Sequence, residues 1–355
     1  MKRLGVVVAV IAMLGGCGVA SAEEAPRMLR VLGEATSPPP EGMPARFVID
    51  AVIKTDDDPF KADIEGWMAG LGPGAQGDDI EGTCVEARCA ISVSFGYDKL
   101  ALSADLAGPA PGTGRLIMTD SDDKKVGEVA VRFTPVAGPV EGLGELAAPD
   151  AIRSVELADL LMWNGASTGF SNVRDEPIDW IERGGVADWQ QANERPGAGL
   201  ILAEDLALLR KTAAAAKSAA GWTPVGGKGW SAGYPAAVLP IVETVGSERR
   251  FSSADGKLRL VIAIDPPMSE EAFDAFVEKI TEDQPGIERR GYTRVNSDME
   301  ITWIEKGRLT SAAYHNRENG FVRLEYSVPE KDEAGDTDWG TILPRALRAD
   351  DDLAP

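Results

Sequence analysis

The sequence predicts a multidomain α+β protein, and three changes of hydrophobic period along the chain predict it. From residue 45 to about 140, apolar and polar residues alternate with a period of two. Between about 150 and 220 the apolar positions recur at helical spacing. From 221 to 347 strand signals return around one well-started helix. The expected architecture is therefore an N-terminal antiparallel β domain, a compact three-helix unit and a C-terminal α+β domain. With 44% hydrophobic residues in 355, the chain has enough apolar material for real cores.

Residues 1–22 read as a bacterial export signal. Lys2 and Arg3 form its positive end, Leu4 to Leu14 its apolar run, and Ala20-Ser21-Ala22 a small-residue cleavage site before Glu23. The run is too short to span a bilayer, and no other stretch reaches about 18 uninterrupted apolar residues. Leu14-Gly15-Gly16-Cys17 resembles a bacterial lipobox. Two mature forms follow: a soluble periplasmic protein starting at Glu23, or an outer-membrane lipoprotein anchored through Cys17.

A Pro-rich leader, 23–44, precedes the β domain assigned to 45–140. Its strands read as Arg46 to Ile53, Ala90 to Phe95, Leu100 to Leu106, Gly114 to Met118 and Val126 to Phe133. Turn clusters separate several of them, at the spacing of an antiparallel sheet. Asp120-Ser121-Asp122-Asp123 is such a turn; Lys124 and Lys125 stand where a calcium loop would need ligands or its glycine. Cys84 and Cys89 flank Val-Glu-Ala-Arg, and in an exported chain they read as a short structural disulfide. A zinc site would need two further ligands that the chain does not offer.

After a Gly- and Pro-containing linker, the helical unit (150–220) carries Leu157, Leu160 and Leu161 on one face. Val186, Trp189, Gln190 and Asn193 follow on a second helix, and a Leu- and Ala-rich third runs from Glu204 to Ala220. In the α+β domain (221–347), strands are expected around 251–253, 258–264, 292–295, 299–305, 309–315 and 321–326. One helix starts at Ser269-Glu270-Glu271, where the hydroxyl can accept first-turn amides and the acids complement the dipole. A second helix is expected over 339–347, and 348–355 is an acidic tail.

The formal charge is −21, and it becomes −23 if Lys2 and Arg3 leave with the signal. Such an acid excess argues against nucleic acid or an anionic bilayer as partner. The single histidine, His315, excludes multi-histidine metal sites. Gly229-Trp230-Ser231-Ala232-Gly233 has the nucleophile-elbow spacing, and Ser231, Asp265 and His315 fall in hydrolase order. An elbow, however, needs a buried strand before it and a helix after it. Here the sequence reads a loop, Pro224 to Lys228, and then Tyr234-Pro235. No catalytic residue, metal or cofactor is assigned.

One resemblance adds to this reading. Gly185-Val186-Ala187-Asp188-Trp189-Gln190-Gln191-Ala192-Asn193, then Pro196-Gly197-Ala198-Gly199-Leu200, then Asp205-Leu206-Ala207-Leu208-Leu209 resemble the three-helix peptidoglycan-binding domain, over about residues 152–215. The family's Asp-Gly loop between its first two helices is replaced by Ser171-Asn172-Val173-Arg174-Asp175-Glu176-Pro177. The order of elements over 230–347 resembles a PsbP-like α/β sandwich, whose members are mostly non-catalytic.

The resemblance implies peptidoglycan as partner, with Gln190, Asn193, Trp163 and Trp189 as candidate ligand residues. Amides would meet sugar hydroxyls and aromatic faces would stack on the rings. Gln190 and Asn193, one turn apart, are the better candidates for a surface groove. The function expected is an exported, non-catalytic cell-envelope protein that associates with peptidoglycan through its helical domain. The alternative is an interaction scaffold for other envelope proteins, without sugar binding. An exposed apolar patch on the 221–347 sheet, with no groove at Gln190, would favour that alternative. A cell-wall hydrolase is the third reading.

Overall fold

Alternation in the first third of the chain closes on itself. The computed structural model describes residues 27–55, 61–72, 76–85, 88–95, 98–105, 112–119, 124–166, 180–227, 230–282, 284–318, 320–330 and 339–349. The export signal with Cys17, the Asp120–Asp123 turn, the 171–177 loop and the acidic end at 350–352 lie outside them. β1 (Arg27–Ala35), β2 (Arg46–Thr55), β3 (Lys61–Gly70), β4 (Gly77–Val85), β5 (Arg88–Phe95), β6 (Asp98–Asp105), β7 (Thr113–Thr119) and β8 (Lys125–Pro135) each pair antiparallel with the next. β8 then pairs with β1, from Val31 opposite Pro135 to Ala35 opposite Val131, and the eight strands form a closed barrel.

One parity fills the interior: Phe47, Ile49, Ala51 and Ile53 on β2, Ile64 and Met68 on β3, Val129, Val131 and Phe133 on β8. Phe47 and Phe133 meet edge-on at 6.0 Å. Gly33 is required beside them, because a Cβ there would fall 2.4 Å from the Phe47 ring. The other parity carries Lys54, Glu65, Arg115 and Arg132 outward and exposed. This is the reverse of a barrel standing in lipid, whose outer band is apolar.

Cys84 and Cys89 face each other directly across β4 and β5 with both sulfurs inside the barrel, and they are joined as a disulfide. The bond closes a short loop, so reduction should lower barrel stability by about 2 kcal/mol, by the chain-entropy rule for a loop of this size. Denaturant unfolding with and without reductant measures it. Coincident curves would show that the bond adds nothing.

Beyond the barrel come α1 (Ser154–Trp163), α2 (Trp180–Ala192), α3 (Ala203–Ala219), β9 (Trp222–Gly227), β10 (Trp230–Pro235), β11 (Ile241–Val245), β12 (Glu248–Ser252), β13 (Arg259–Asp265), α4 (Glu270–Thr281), β14 (Ile287–Val295), β15 (Asp298–Glu305), β16 (Arg308–Arg317), β17 (Gly320–Pro329), α5 (Trp339–Arg345) and β18 (Arg348–Ala349). Seven of these strands form one antiparallel sheet in the order β11-β12-β13-β17-β16-β15-β14, and β18-β10-β9 form a smaller one. Lys306 and Gly307, both at positive φ, make the tight turn between β15 and β16. Ser269 caps α4 by accepting the Ala272 amide at 3.2 Å, as its sequence indicates.

α4 lies on one face of the large sheet, where Phe273 and Val277 bury against Met299, Ile301, Tyr314 and Phe321. The opposite face, with Leu260, Ile262, Leu324 and Tyr326, shares a core with the small sheet and with Leu343 and Leu347.

The expected fold class is corrected here. The chain does not place a separate three-helix peptidoglycan-binding-like domain between a β domain and a PsbP-like sandwich. It is built on a closed barrel and two further sheets, and the five helices found among the described residues serve as packing between and upon them. The physical reason lies in which residues share a core. Leu157, Leu161, Val186 and Leu209 of α1–α3 bury together with Ile342 of α5, and Trp222 and Trp339 pack on the same cluster. On the other side Leu200 and Leu202 bury with Val48, Trp67 and Ala69 of the barrel wall. The helical core is therefore continuous with α5 and β9 and is not closed off as a separate domain.

Candidate functional site

Of the residues assigned to sugar binding, Gln190 sits at the junction of α2, the loop after it and the barrel. Gln190, on the last turn of α2, is 1% exposed. Its Nε2 donates to Leu200 O at 2.9 Å and to Asp205 Oδ2 at 2.7 Å, while its Oε1 accepts the Gly199 amide at 2.9 Å. Its amide is thus saturated inside the protein. Asp205, buried in the first turn of α3, is held also by the Arg195 guanidinium. The Asn193 Nδ2 donates to Trp189 O at 2.8 Å and closes the end of α2.

Gly199 is at φ +93°, and a Cβ there would lie 2.6 Å from the Trp67 ring. Trp67 of β3 donates its Nε1–H to Ala198 O at 2.7 Å. On β4, a Cβ at Gly77 would fall 1.9 Å from the same carbonyl oxygen. The Ala198-Gly199 segment is therefore pressed onto the barrel, and among the described residues Gln190 faces no groove.

Both remaining aromatics are interior. Trp189 is 4% exposed and Trp163 8%. Trp163 meets Trp222 edge-on at 4.9 Å and Trp339 at 5.9 Å, joining α1 to β9 and α5. Lys217 lies over the Trp163 ring and pairs with Asp159 at 2.6 Å.

A second junction was not read from the sequence. Asp50, on the outer parity of β2, is 2% exposed. Its Oδ1 accepts from Arg30 Nε at 2.7 Å, and its Oδ2 accepts from Arg183 Nη2 of α2 at 3.0 Å. Arg30 also donates to Ala147 O at 2.6 Å. The available signal was Phe47-Val48-Ile49, apolar on both parities, which marks a barrel wall that something covers.

The hydrolase trio does not converge. Residues 224–227 belong to β9, and Ser231 lies within β10 opposite Gly226, not on a strand-to-helix turn. Asp265 accepts from Arg323 Nε at 3.2 Å. His315 Nδ1 meets Asp298 Oδ1 at 2.9 Å, and Arg317 grips the same carboxylate through both of its terminal nitrogens, at 2.6 and 3.0 Å.

Burial alone pushes the Asp298 carboxyl up. The His315 hydrogen bond and the Arg317 pair outweigh it and hold the carboxyl down at about 2. A carboxyl depressed in the folded state stabilises above its unfolded pKa and loses that contribution as pH falls through the folded one. Asp298→Asn should therefore be less stable than the parent at neutral pH. The gap should narrow between about pH 4 and about pH 2. A gap independent of pH over that window would show that the carboxylate contributes no charge pairing.

Where the large sheet is not covered by α4, Arg323 joins Glu248 at 2.6 Å, Asp265 at 3.2 Å and Glu325 at 3.5 Å. Tyr314 donates to Glu325 at 3.3 Å, and burial with that carboxylate alongside pushes its hydroxyl pKa up. These groups satisfy one another. What stays unsatisfied is next to them: all five residues of β11 are exposed, with Ile241 at 42%, Val242 at 50% and Val245 at 47%. β11 ends the seven-stranded sheet, and among the described residues no strand pairs with its outer side.

Barrel and sheets define an all-antiparallel β framework with helical packing, in which no helix of the described residues is long and apolar enough to cross a membrane. No protein-family model and no curated protein matches the chain. Among solved structures the chain is similar to the solution structure of cyanobacterial PsbP (CyanoP) from Synechocystis sp. PCC 6803. The identity is 11%, over 36% of this chain and 92% of that one, with a TM-score of 0.29. The likeness is weak, reaching a PsbP-like module at most.

Proposed function

We propose that the chain is an exported, non-catalytic protein of the bacterial cell envelope that works as a protein–protein interaction scaffold. The carrying observation is the contrast between two places. At Gln190 the polar chemistry is spent inside the fold, whereas β11 offers exposed β-branched side chains and an open backbone edge. Exposed sheet edges bind extended strands through main-chain hydrogen bonds, with alternate side chains adding selectivity. Export is supported by the signal read in 1–22 and by the Cys84–Cys89 disulfide, a bond of oxidising compartments.

Placing a photo-reactive residue at Ile241 or Val245 of the full chain in envelope preparations tests the reading, with exposed Lys211 on α3 as control. Cross-linked protein at 241 and 245 but not at 211 is expected. Labelling confined to 211, or none at any position, would overturn it.

A further inference from the structure

The scaffold reading leaves the occupant of the edge open, and on that reading we propose that β11 pairs antiparallel with β11 of a second copy of this chain, forming a two-fold dimer with one continuous sheet. Backbone direction comes first. Val245 and Glu248 flank a two-residue turn that Gly246 opens at φ +62°. Residues flanking such a loop form a hydrogen-bonded pair, and the pairs alternate from there. Val245, Glu243 and Ile241 thus direct their backbone groups toward β12. The N–H and C=O of Val242 and Thr244 point outward, four groups in all.

A two-fold axis perpendicular to the sheet allows only registers in which some residue faces its own copy. Of these, the register centred on Glu243 sets Val242 against Thr244 of the other copy at both ends, and all four outward groups are used in each chain. The same register sets Ile241 against Val245 on one face of the sheet. The exposed apolar residues of β11 are then all covered by β11 itself.

Charge permits the same occupant, with one like-charge contact, Glu243 against Glu243, at the axis. The chain carries −21, so two copies repel except where the surface is locally neutral. The β11–β12 hairpin is neutral, with Glu243 and Glu248 against Arg249 and Arg250. Assembly also stops at two. The other edge of the sheet, β14, carries Arg289, Arg290 and Arg294 and has a bulge between Arg289 and Gly291. Charges and bulges are the usual guards of a sheet edge, and β11 has a single charge, Glu243, and no bulge or proline.

The tests use residues whose backbone role is known. Because the Val242 N–H points outward, Val242→Pro removes only a donor to the second copy and leaves the hairpin bonds in place. It should weaken dimerisation about tenfold or more, since one bond is lost from each chain, with the circular dichroism spectrum unchanged. Glu243→Gln removes a like-charge contact across the axis and should tighten the dimer about two- to fivefold. Glu243→Cys, on a Cys17→Ser background, faces its own copy at cross-strand disulfide distance and should give a covalent dimer on mild oxidation.

Sedimentation equilibrium of the full chain gives the dimer constant. A parent monomeric at every concentration with no Glu243→Cys cross-link, a dimer indifferent to Val242→Pro, or an open polymer would each overturn the proposal. A monomeric parent that still cross-links other envelope proteins at 241 and 245 sinks self-pairing alone. Absence of every adduct sinks the scaffold reading as well.

Discussion

Asp50→Ala should lower the unfolding free energy by about 3–5 kcal/mol, the cost of leaving buried charge without its partner. The carboxylate is 2% exposed and holds Arg30 of β1 and Arg183 of α2 at the same time. Removing it leaves two guanidiniums facing each other across a gap that water scarcely reaches, one anchored to a barrel strand and the other to a helix. Arg183→Met is the informative companion. It keeps the Arg30–Asp50 pair and replaces a buried cation by an apolar side chain of similar length, so its cost should be well below that of Asp50→Ala. Urea unfolding of the three proteins measures both. Equal losses, or an Asp50→Ala loss under about 1 kcal/mol, would mean that the ion group does not join helix to barrel.

Gln190→Ala has the second large effect, about 3 kcal/mol. It strips the Gly199 N–H and the Leu200 carbonyl of their partner, and each buried orphan costs roughly 1–3 kcal/mol. Asp205 keeps Arg195 but loses its other donor. A groove residue behaves differently: truncating an exposed amide usually changes stability by less than about 0.5 kcal/mol. The same substitution thus separates a structural glutamine from a sugar-binding one by thermal or denaturant unfolding alone. A variant as stable as the parent would return Gln190 to the surface.

The alternation along β2, β5 and β8 was legible because one parity fills a barrel and the other meets water, which is the pattern the period of two encodes. The disulfide was legible from spacing and compartment. Closure was not. β1 lies in a segment read as a Pro-rich leader, and Leu29 and Val31 form too short an apolar alternation to announce a strand beside Pro38-Pro39-Pro40. Yet without β1 the edges of β2 and β8 would stand open.

The helices were found, but their independence was misread. Helical period reports that one face is buried, not what buries it: here the helices bury it against one another and Ile342 of α5, while the connecting residues Leu200 and Leu202 reach Val48, Trp67 and Ala69 of the barrel. The same limit applies at Gln190. An amide at the end of a helix reads equally as a ligand contact or as a clamp on the next loop. Only Gly197 and Gly199, which leave no space for side chains against Gln190 and Trp67, hinted at the clamp. The edge strand β11 is short and follows Leu239-Pro240, so its sequence showed neither its place in the sheet nor its exposure.

Co-sedimentation of the full chain with insoluble peptidoglycan sacculi, at low and at high salt, tests the central claim most directly. That claim is that Gln190 spends its amide on the fold and that interaction is left to the sheet edge. The chain should stay in the supernatant at both salt concentrations, because screening its negative charge uncovers no site. Saturable sedimentation that grows as salt relieves charge repulsion, and that vanishes with Gln190→Ala in a still-folded chain, would contradict it.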